Sequence, residues 1–562
     1  MKNTFKKLIC LLLAFTLVLG AQAPALAEDT AQEPEAEEAE VSGGVYGTPI
    51  INVSGQRDII YSQKDDIESE TYLTNGFPDG ALGDVLDGIS DELIDGFLTS
   101  DWDGFCDALY EALSSYLAPL ALDENGNIPN NTGYDCIKET AVTDKAVNGR
   151  YRLNDYDFVY DWRLDPVENA VELNSYIRSV KAATGAEKVD ILASGIGYST
   201  LLAYLYTFGY DDIKECVLCG AGLNGIDTVG MLFSGRMVID EDALNRYLQE
   251  NLSDTDPILA LAQYAADLVL TNGFADSMIG LVSRIYKLIY ENVLPRILLS
   301  SYGTMPGYWS LVGDKYYEDA KALHFGTGED TEETEEAEEN EETAVDYTYL
   351  IKKLDRFHNE ILNNASAIIS DAVNSGVNVY DVVRYGHQIV PLNENSSEQS
   401  DGIISVGNAT FGAEYAPYGE KLSDEVIENA KTDGSILFIS PDHEIDASAA
   451  SLKKHTWFIK NVSNDEDPAP AAEMIEKILD TDGYVNVFDL EDYPQYLVCN
   501  NAATRMDKLT ETGVIAPTFD EQLEEYFSFD SPTGIMKKLF SLIAKFVELL
   551  RYLIDSFRFD EW

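Results

Sequence analysis

Short unbroken apolar runs alternate along this chain with longer segments whose apolar residues recur every three or four positions. That alternation predicts an α/β fold, a mostly parallel sheet with helices on both faces. The runs Pro49–Val53, Asp157–Tyr160, Val189–Leu192, the stretch around Cys216, Val377–Val383 and Thr456–Lys460 read as buried core strands. Ser199–Phe208 reads as a helix, and so does the segment after Asp165-Pro166, an N-cap and first-turn pair, with Val167, Ala170, Val171, Ile177 and Val180 on one face and an end near Gly185. Helical spacing also marks Val85–Phe97 and Trp102–Leu117, an antiparallel pair inserted at 80–120, and Asp256–Thr271, Phe274–Leu298 and Tyr347–Val373. These last three lie between core strands, where an α/β sheet would carry helical cap insertions.

The turn after Val189–Leu192 carries the candidate chemistry. Ala193-Ser194-Gly195-Ile196-Gly197 joins a strand to a helix through small residues, the form of a G-x-S-x-G nucleophile elbow, but glycine stands at the nucleophile position. Upstream, Asp161-Trp162-Arg163-Leu164-Asp165-Pro166 follows a strand and opens the helix that leads to the elbow strand.

The ordered string YDWRLDP, helix, strand and elbow resembles the lecithin:cholesterol acyltransferase and lysosomal phospholipase family of lipid acyl hydrolases. The resemblance covers about 46–230 and 375–480 and implies an α/β-hydrolase core. It makes Pro49–Gln56 the first core strand and its following loop, so that the backbone N–H groups near Gln56 and of Ile196 would form the oxyanion hole. It makes Ser400-Asp401-Gly402-Ile403-Ile404 the acidic loop, with Asp401 at the position of the triad acid. The family's histidine follows the last core strand; here Asn461-Val462-Ser463-Asn464-Asp465 follows Thr456–Lys460, and Asn464 marks the vacant histidine position. Two of three triad positions therefore lack the required group.

Other readings of these residues stay open. Ser194 could act as a displaced nucleophile, although neighbouring residues of an extended turn point in different directions. His443, in Ser440-Pro441-Asp442-His443-Glu444, could serve as a base if that loop folds over the elbow, or be merely solvated. Asp401 could persist as a turn residue, since Asp-Gly is a common turn pair. His387 fits a strand end better than chemistry. No cofactor and no metal is called for; Asp123-Glu124-Asn125-Gly126-Asn127 lacks EF-hand spacing and reads as a turn.

Charge and ends place these parts in a larger organisation. Lys2, Lys6 and Lys7 before Leu8–Gly20, with Ala25-Leu26-Ala27, read as a cleaved signal peptide over 1–27 and so as export to the envelope or exterior of a bacterial cell; no cysteine follows the cleavage site, so a lipoprotein anchor is not expected. Losing those three lysines takes the formal charge from −61 to −64, which excludes nucleic acid as a partner by repulsion of its phosphates. Residues 28–42 form an acidic tether, and Glu329–Glu342, with ten acids in fourteen positions, lies in an acidic segment at 326–346; neither can bury a core. The remaining divisions are 43–230 and 375–500 for the two parts of the core, 231–374 for the cap and 501–562 for a C-terminal extension.

The cysteines beyond the signal, Cys106, Cys136, Cys216, Cys219 and Cys499, are too sparse for a disulfide framework, and one bridge between Cys106 and Cys136 is the pairing left open. Cys216 and Cys219, three apart on a strand, should face opposite sides of the sheet. In the extension, 534–559 reads as an amphipathic helix whose wide apolar face would lie on a membrane surface, dock on the body or meet an envelope protein. The function these features point to is binding of a lipid or acylated small molecule, or of an envelope partner, by an impaired hydrolase. The alternatives are an active carboxylic-ester hydrolase using a displaced serine and a purely structural surface protein.

Overall fold

The computed structural model describes residues 47–54, 102–129, 155–238, 292–326, 345–389, 397–464, 468–500 and 503–515, with isolated positions between them. The segments read as a signal peptide (1–27), a tether (28–42), an acidic run (329–342) and an amphipathic helix (534–559), together with Gln56, Asp256–Thr271 and most of Val85–Phe97 and Phe274–Leu298, lie outside the described residues.

The chain forms an α/β fold around an eight-stranded sheet. Its strands are β1 (Ile50–Ser54), β2 (Tyr156–Asp157), β3 (Val189–Ser194), β4 (Ile213–Cys219), β5 (Asn378–Tyr385), β6 (Thr456–Lys460), β7 (Tyr496–Cys499) and β8 (Met506–Lys508). They lie in the order β8-β7-β6-β5-β4-β3-β1-β2, and all neighbours are parallel except β7 and β8. The central strands are buried on both faces, which is why their sequences read as apolar runs without alternation. β2 is shorter than the run Asp157–Tyr160, although the Phe158 N–H still bonds Asn52 O at 2.9 Å.

The α-helices of eight or more residues among the described residues are α1 (Asp103–Leu117), α2 (Pro166–Thr184), α3 (Gly197–Phe208), α4 (Asp227–Ser234), α5 (Asp314–Phe325), α6 (Thr348–Arg356), α7 (Ala365–Asn374), α8 (Asp424–Asp433) and α9 (Ala469–Leu479). α2, α3 and α7 cover one face of the sheet, and α9 covers the other. α2 begins where Asp165 accepts the Val167 N–H at 2.9 Å and ends at Gly185 with φ 73°. Its Val167, Ala170, Ile177 and Val180 are buried, whereas Val171 faces solvent. In the inserted segment, Trp102, Phe105, Leu109, Leu113 and Leu117 are buried along α1.

Cys106 is a free, buried thiol, so the bridge to Cys136 left open by the sequence is not made. Cys216 and Cys219 pack on opposite faces of the sheet, as strand geometry requires. No described helix is long and apolar enough to cross a membrane.

Candidate functional site

Gly195 sits between β3 and α3 at φ 52°, in the left-handed region that lifts the middle residue of a strand-to-helix turn clear of the sheet. Tyr198 N–H bonds back to Gly195 O at 3.2 Å, starting the helix immediately. The approach is tight: a Cβ on Gly197 would stand 1.8 Å from Val53 O, so only glycine lets α3 pack against the end of β1. Ile196 is the buried N-cap of α3, its main chain at the helix N-terminus where N–H groups lack partners within the helix. Gln56, the other expected oxyanion donor, lies outside the described residues.

Ser194 is the last residue of β3, level with Ser54 and Cys219 on the neighbouring strands. Strand alternation groups it with Asp190 and Leu192, on the face covered by α9 and opposite α3.

The acidic loop is held by a short antiparallel pair in which Ser400 meets His387, just past the end of β5. Ser400 Oγ donates to His387 O at 3.0 Å, so His387 serves at a strand end. Asp401 is buried, and its Oδ1 accepts the N–H groups of Ile403 and Ile404 at 3.0 and 2.7 Å. Its Oδ2 accepts from Asn464 Nδ2 at 3.1 Å, while Asn464 N–H bonds Asp401 O at 2.8 Å. The asparagine read as the vacant histidine position thus contacts the residue read as the triad acid. Burial raises the Asp401 carboxyl above the ordinary carboxylate range, opposed by these donors and by the Arg384 guanidinium. Asn464 Oδ1 is enclosed and has no hydrogen-bond partner.

Arg384, near the end of β5, ties the loop to the elbow side of the sheet. One guanidinium nitrogen donates to Asn464 O at 3.2 Å and another lies 3.6 Å from Cys219 Sγ, the residue paired with Ser194. The sequence reading passed over Arg384, although an arginine inside the run Val382-Val383-Arg384-Tyr385 is itself a signal, because arginine is seldom buried without a task.

His443 occupies a turn with φ 64° and is anchored through its main chain, its N–H on Ser440 O and its carbonyl on Leu422 N–H. The residues either side of it are occupied by β6: Lys460 Nζ meets Asp442 Oδ2 at 2.7 Å and Glu444 Oε1 at 2.6 Å. The Asp123–Asn127 segment is a turn, with Asp123 Oδ1 accepting the N–H groups of Asn125 and Asn127.

The Asp161–Pro166 string is built from a fully buried ion pair. Arg163 grips Asp161 through Nε at 3.0 Å and Nη2 at 2.7 Å, and donates Nη1 to Leu120 O at 3.0 Å, joining the segment after α1 to the loop before α2. The segment before α5 packs onto the same loop: a Cβ on Gly307 would stand 1.8 Å from Trp162 O, and Ser310 Oγ donates to Ser199 Oγ in the first turn of α3. Among the described residues, no three His, Cys, Asp or Glu side chains converge as a metal site.

Chemically, a glycine offers no nucleophile, and a carboxamide, unlike imidazole, takes no proton near neutral pH. What the site does offer is an enclosed acceptor at Asn464 Oδ1 and a fixed guanidinium. No protein-family model and no curated protein matches this chain.

Proposed function

We propose that this chain is an exported α/β-hydrolase-fold protein, similar to the lecithin:cholesterol acyltransferase and lysosomal phospholipase family, whose acyl-transfer site has become a binding site. Its ligand would be a lipid or acylated small molecule, or the site and its surroundings would receive an envelope partner. The observation that carries this reading is the Asn464–Asp401 hydrogen bond at 3.1 Å, which puts an amide where a triad would have imidazole, together with a left-handed glycine at the elbow. The sheet supports it too, since β1 lies between β2 and β3 and the chain then proceeds strand by strand to β8. A displaced nucleophile at Ser194 finds less support, because that residue faces the α9 side of the sheet. In this reading the segment at 534–559 adds a contact with a membrane surface or an envelope protein.

Fluorophosphonate labelling and hydrolysis of short nitrophenyl esters by the full chain test the loss of catalysis. Neither should be detected. Turnover that disappears in Ser194→Ala would instead establish an active ester hydrolase. Binding is tested by thermal shift with a long-chain lysophospholipid, which should raise the melting temperature by stabilising the native state. An unchanged melting temperature across lysophospholipids and fatty acids would remove the small-ligand reading.

A further inference from the structure

A row of polar groups crosses the opposite, amino-terminal end of the same strands. Asp190 on β3 pairs directly with Glu215 on β4, and Glu215 with Asn378 on β5, so the three side chains share one face of the sheet. Both carboxyl residues are 1% exposed. Glu215 Oε1 accepts Asn378 Nδ2 at 2.9 Å and meets Lys214 Nζ at 3.3 Å. Asp190 Oδ1 and Glu215 Oε2 are enclosed and have no hydrogen-bond partner.

Two adjacent carboxylates in this position would face strong repulsion, and each would keep an unpaired buried oxygen. The surroundings offer little relief. Ile50 of β1 flanks Asp190 in the same row, and Lys214 is the neighbouring cation, itself 45% exposed. From β5 come Asn378 and Tyr380, and Asn378 also donates to Gly483 O. Tyr484 spends its hydroxyl on Val379 O and stacks on His455, whose Nδ1 lies 2.7 Å from Val485 O. Lys188 donates to Ile213 O, and Cys216 faces the other side of the sheet.

We propose that Asp190 and Glu215 retain a proton between them in the folded protein, making the amino-terminal end of the sheet a pH-sensitive joint that is tight in acid and loosens as the solution turns alkaline. A protonated carboxyl is a donor, so one proton supplies the hydrogen bond that the two orphan oxygens lack. Burial pushes Asp190 up to about 8, helped by the charge of Glu215 and opposed by Lys214 and by a main-chain hydrogen bond at Glu215, and burial also raises Glu215 against the pull of Lys214 and Asn378. Both shifts are upward, so the stabilisation is complete below the ordinary carboxylate range and is lost as pH rises towards about 8.

The test is urea unfolding of the full chain across about pH 5 to pH 8.5, comparing it with Asp190→Asn and Glu215→Gln. Each amide replaces the protonated acid by a neutral donor. Relative to either variant, the unaltered chain should lose up to about tenfold in its folding equilibrium constant per pH unit from above the ordinary carboxylate range up to about pH 8, and level off beyond it. Hydrogen exchange on the unaltered chain provides a readout that needs no variant: amides at the starts of β3 and β4 should lose protection with rising pH more than those at the ends of the same strands. Parallel pH profiles for all three chains, or uniform exchange along both strands, would overturn the proposal. So would a rise in melting temperature with calcium or magnesium at alkaline pH that vanishes in Asp190→Asn, because the pair would then hold a cation.

Discussion

At the carboxyl end of the central sheet Asp401 is buried among donors, whereas at the amino end Asp190 and Glu215 each bury an oxygen that has none. Burial alone raises a carboxyl's affinity for protons, and hydrogen bonds to the charged form work against it. The two ends show both regimes within one set of strands. Asp401 draws two main-chain N–H groups from its own turn and an amide from Asn464, so its geometry is fixed whether or not any chemistry follows. A buried carboxyl held in this way therefore says little about activity. In the proposed reading, the groups that would have to act beside it stand at Gly195 and Asn464.

If the carboxyl end is a vacated triad, restoring both missing groups should create ester turnover there. Gly195→Ser alone should yield no measurable ester turnover, because a serine hydroxyl needs a base to attack. Gly195→Ser combined with Asn464→His should exceed either single change by orders of magnitude, since removal of such a nucleophile costs on the order of a millionfold. Serine at φ 52° adds about 1 kcal/mol of strain, so melting temperatures should be measured alongside. Turnover in Gly195→Ser without the new histidine would identify an existing base, with His443 the first residue to substitute.

Stability changes come next in size. Gly197→Ala should cost about 3 kcal/mol or more, read by urea unfolding, because the new methyl would lie 1.8 Å from the Val53 carbonyl, and backbone gives way less than a side chain. Asp401→Ala should cost about 2 kcal/mol by leaving its donors unpaired. Asp401→Asn should cost less than about 1 kcal/mol, because Asn464 can turn its orphan Oδ1 towards the new amide. Equal losses in the alanine and asparagine variants would mean that the charge of Asp401, facing Arg384, matters more than its hydrogen bonds.

The sequence made the elbow legible because its turn needs small residues at fixed spacing, and the central strands legible because burial on both faces leaves uninterrupted apolar runs. Asn464 was reachable by counting on from Thr456–Lys460, a strand whose limits the structure reproduces. Asp190, Glu215 and Arg384 were not. Each is a single charged position inside an apolar run, and their meaning depends on which strands become neighbours, something that spacing within one strand does not encode. β8 escaped notice for a related reason: Met506–Lys508 is mostly exposed and belongs to the sheet only through its antiparallel pairing with β7. Val171 was counted on the buried face of α2 from its spacing, yet it lies beside Ala170 at the margin of the apolar stripe and faces water.

Asp165 stands between the two regimes, with one main-chain donor on its side chain, the Val167 N–H at 2.9 Å. Burial lifts its carboxyl to about 6, opposed by that hydrogen bond and by the charges of Lys353 and Arg356. The shift is upward, so the side chain stabilises the fold fully below the ordinary carboxylate range and loses that contribution as pH rises through about 6. Asparagine caps a helix as well as aspartate and carries no charge to bury. Asp165→Asn should therefore match the unaltered chain in acid and exceed it above about pH 6, by on the order of 1 kcal/mol. Unfolding curves at several pH values would show this as two stability profiles that meet at low pH and separate above it. A variant that is weaker at every pH would show instead that the charge facing Lys353 and Arg356 outweighs its desolvation.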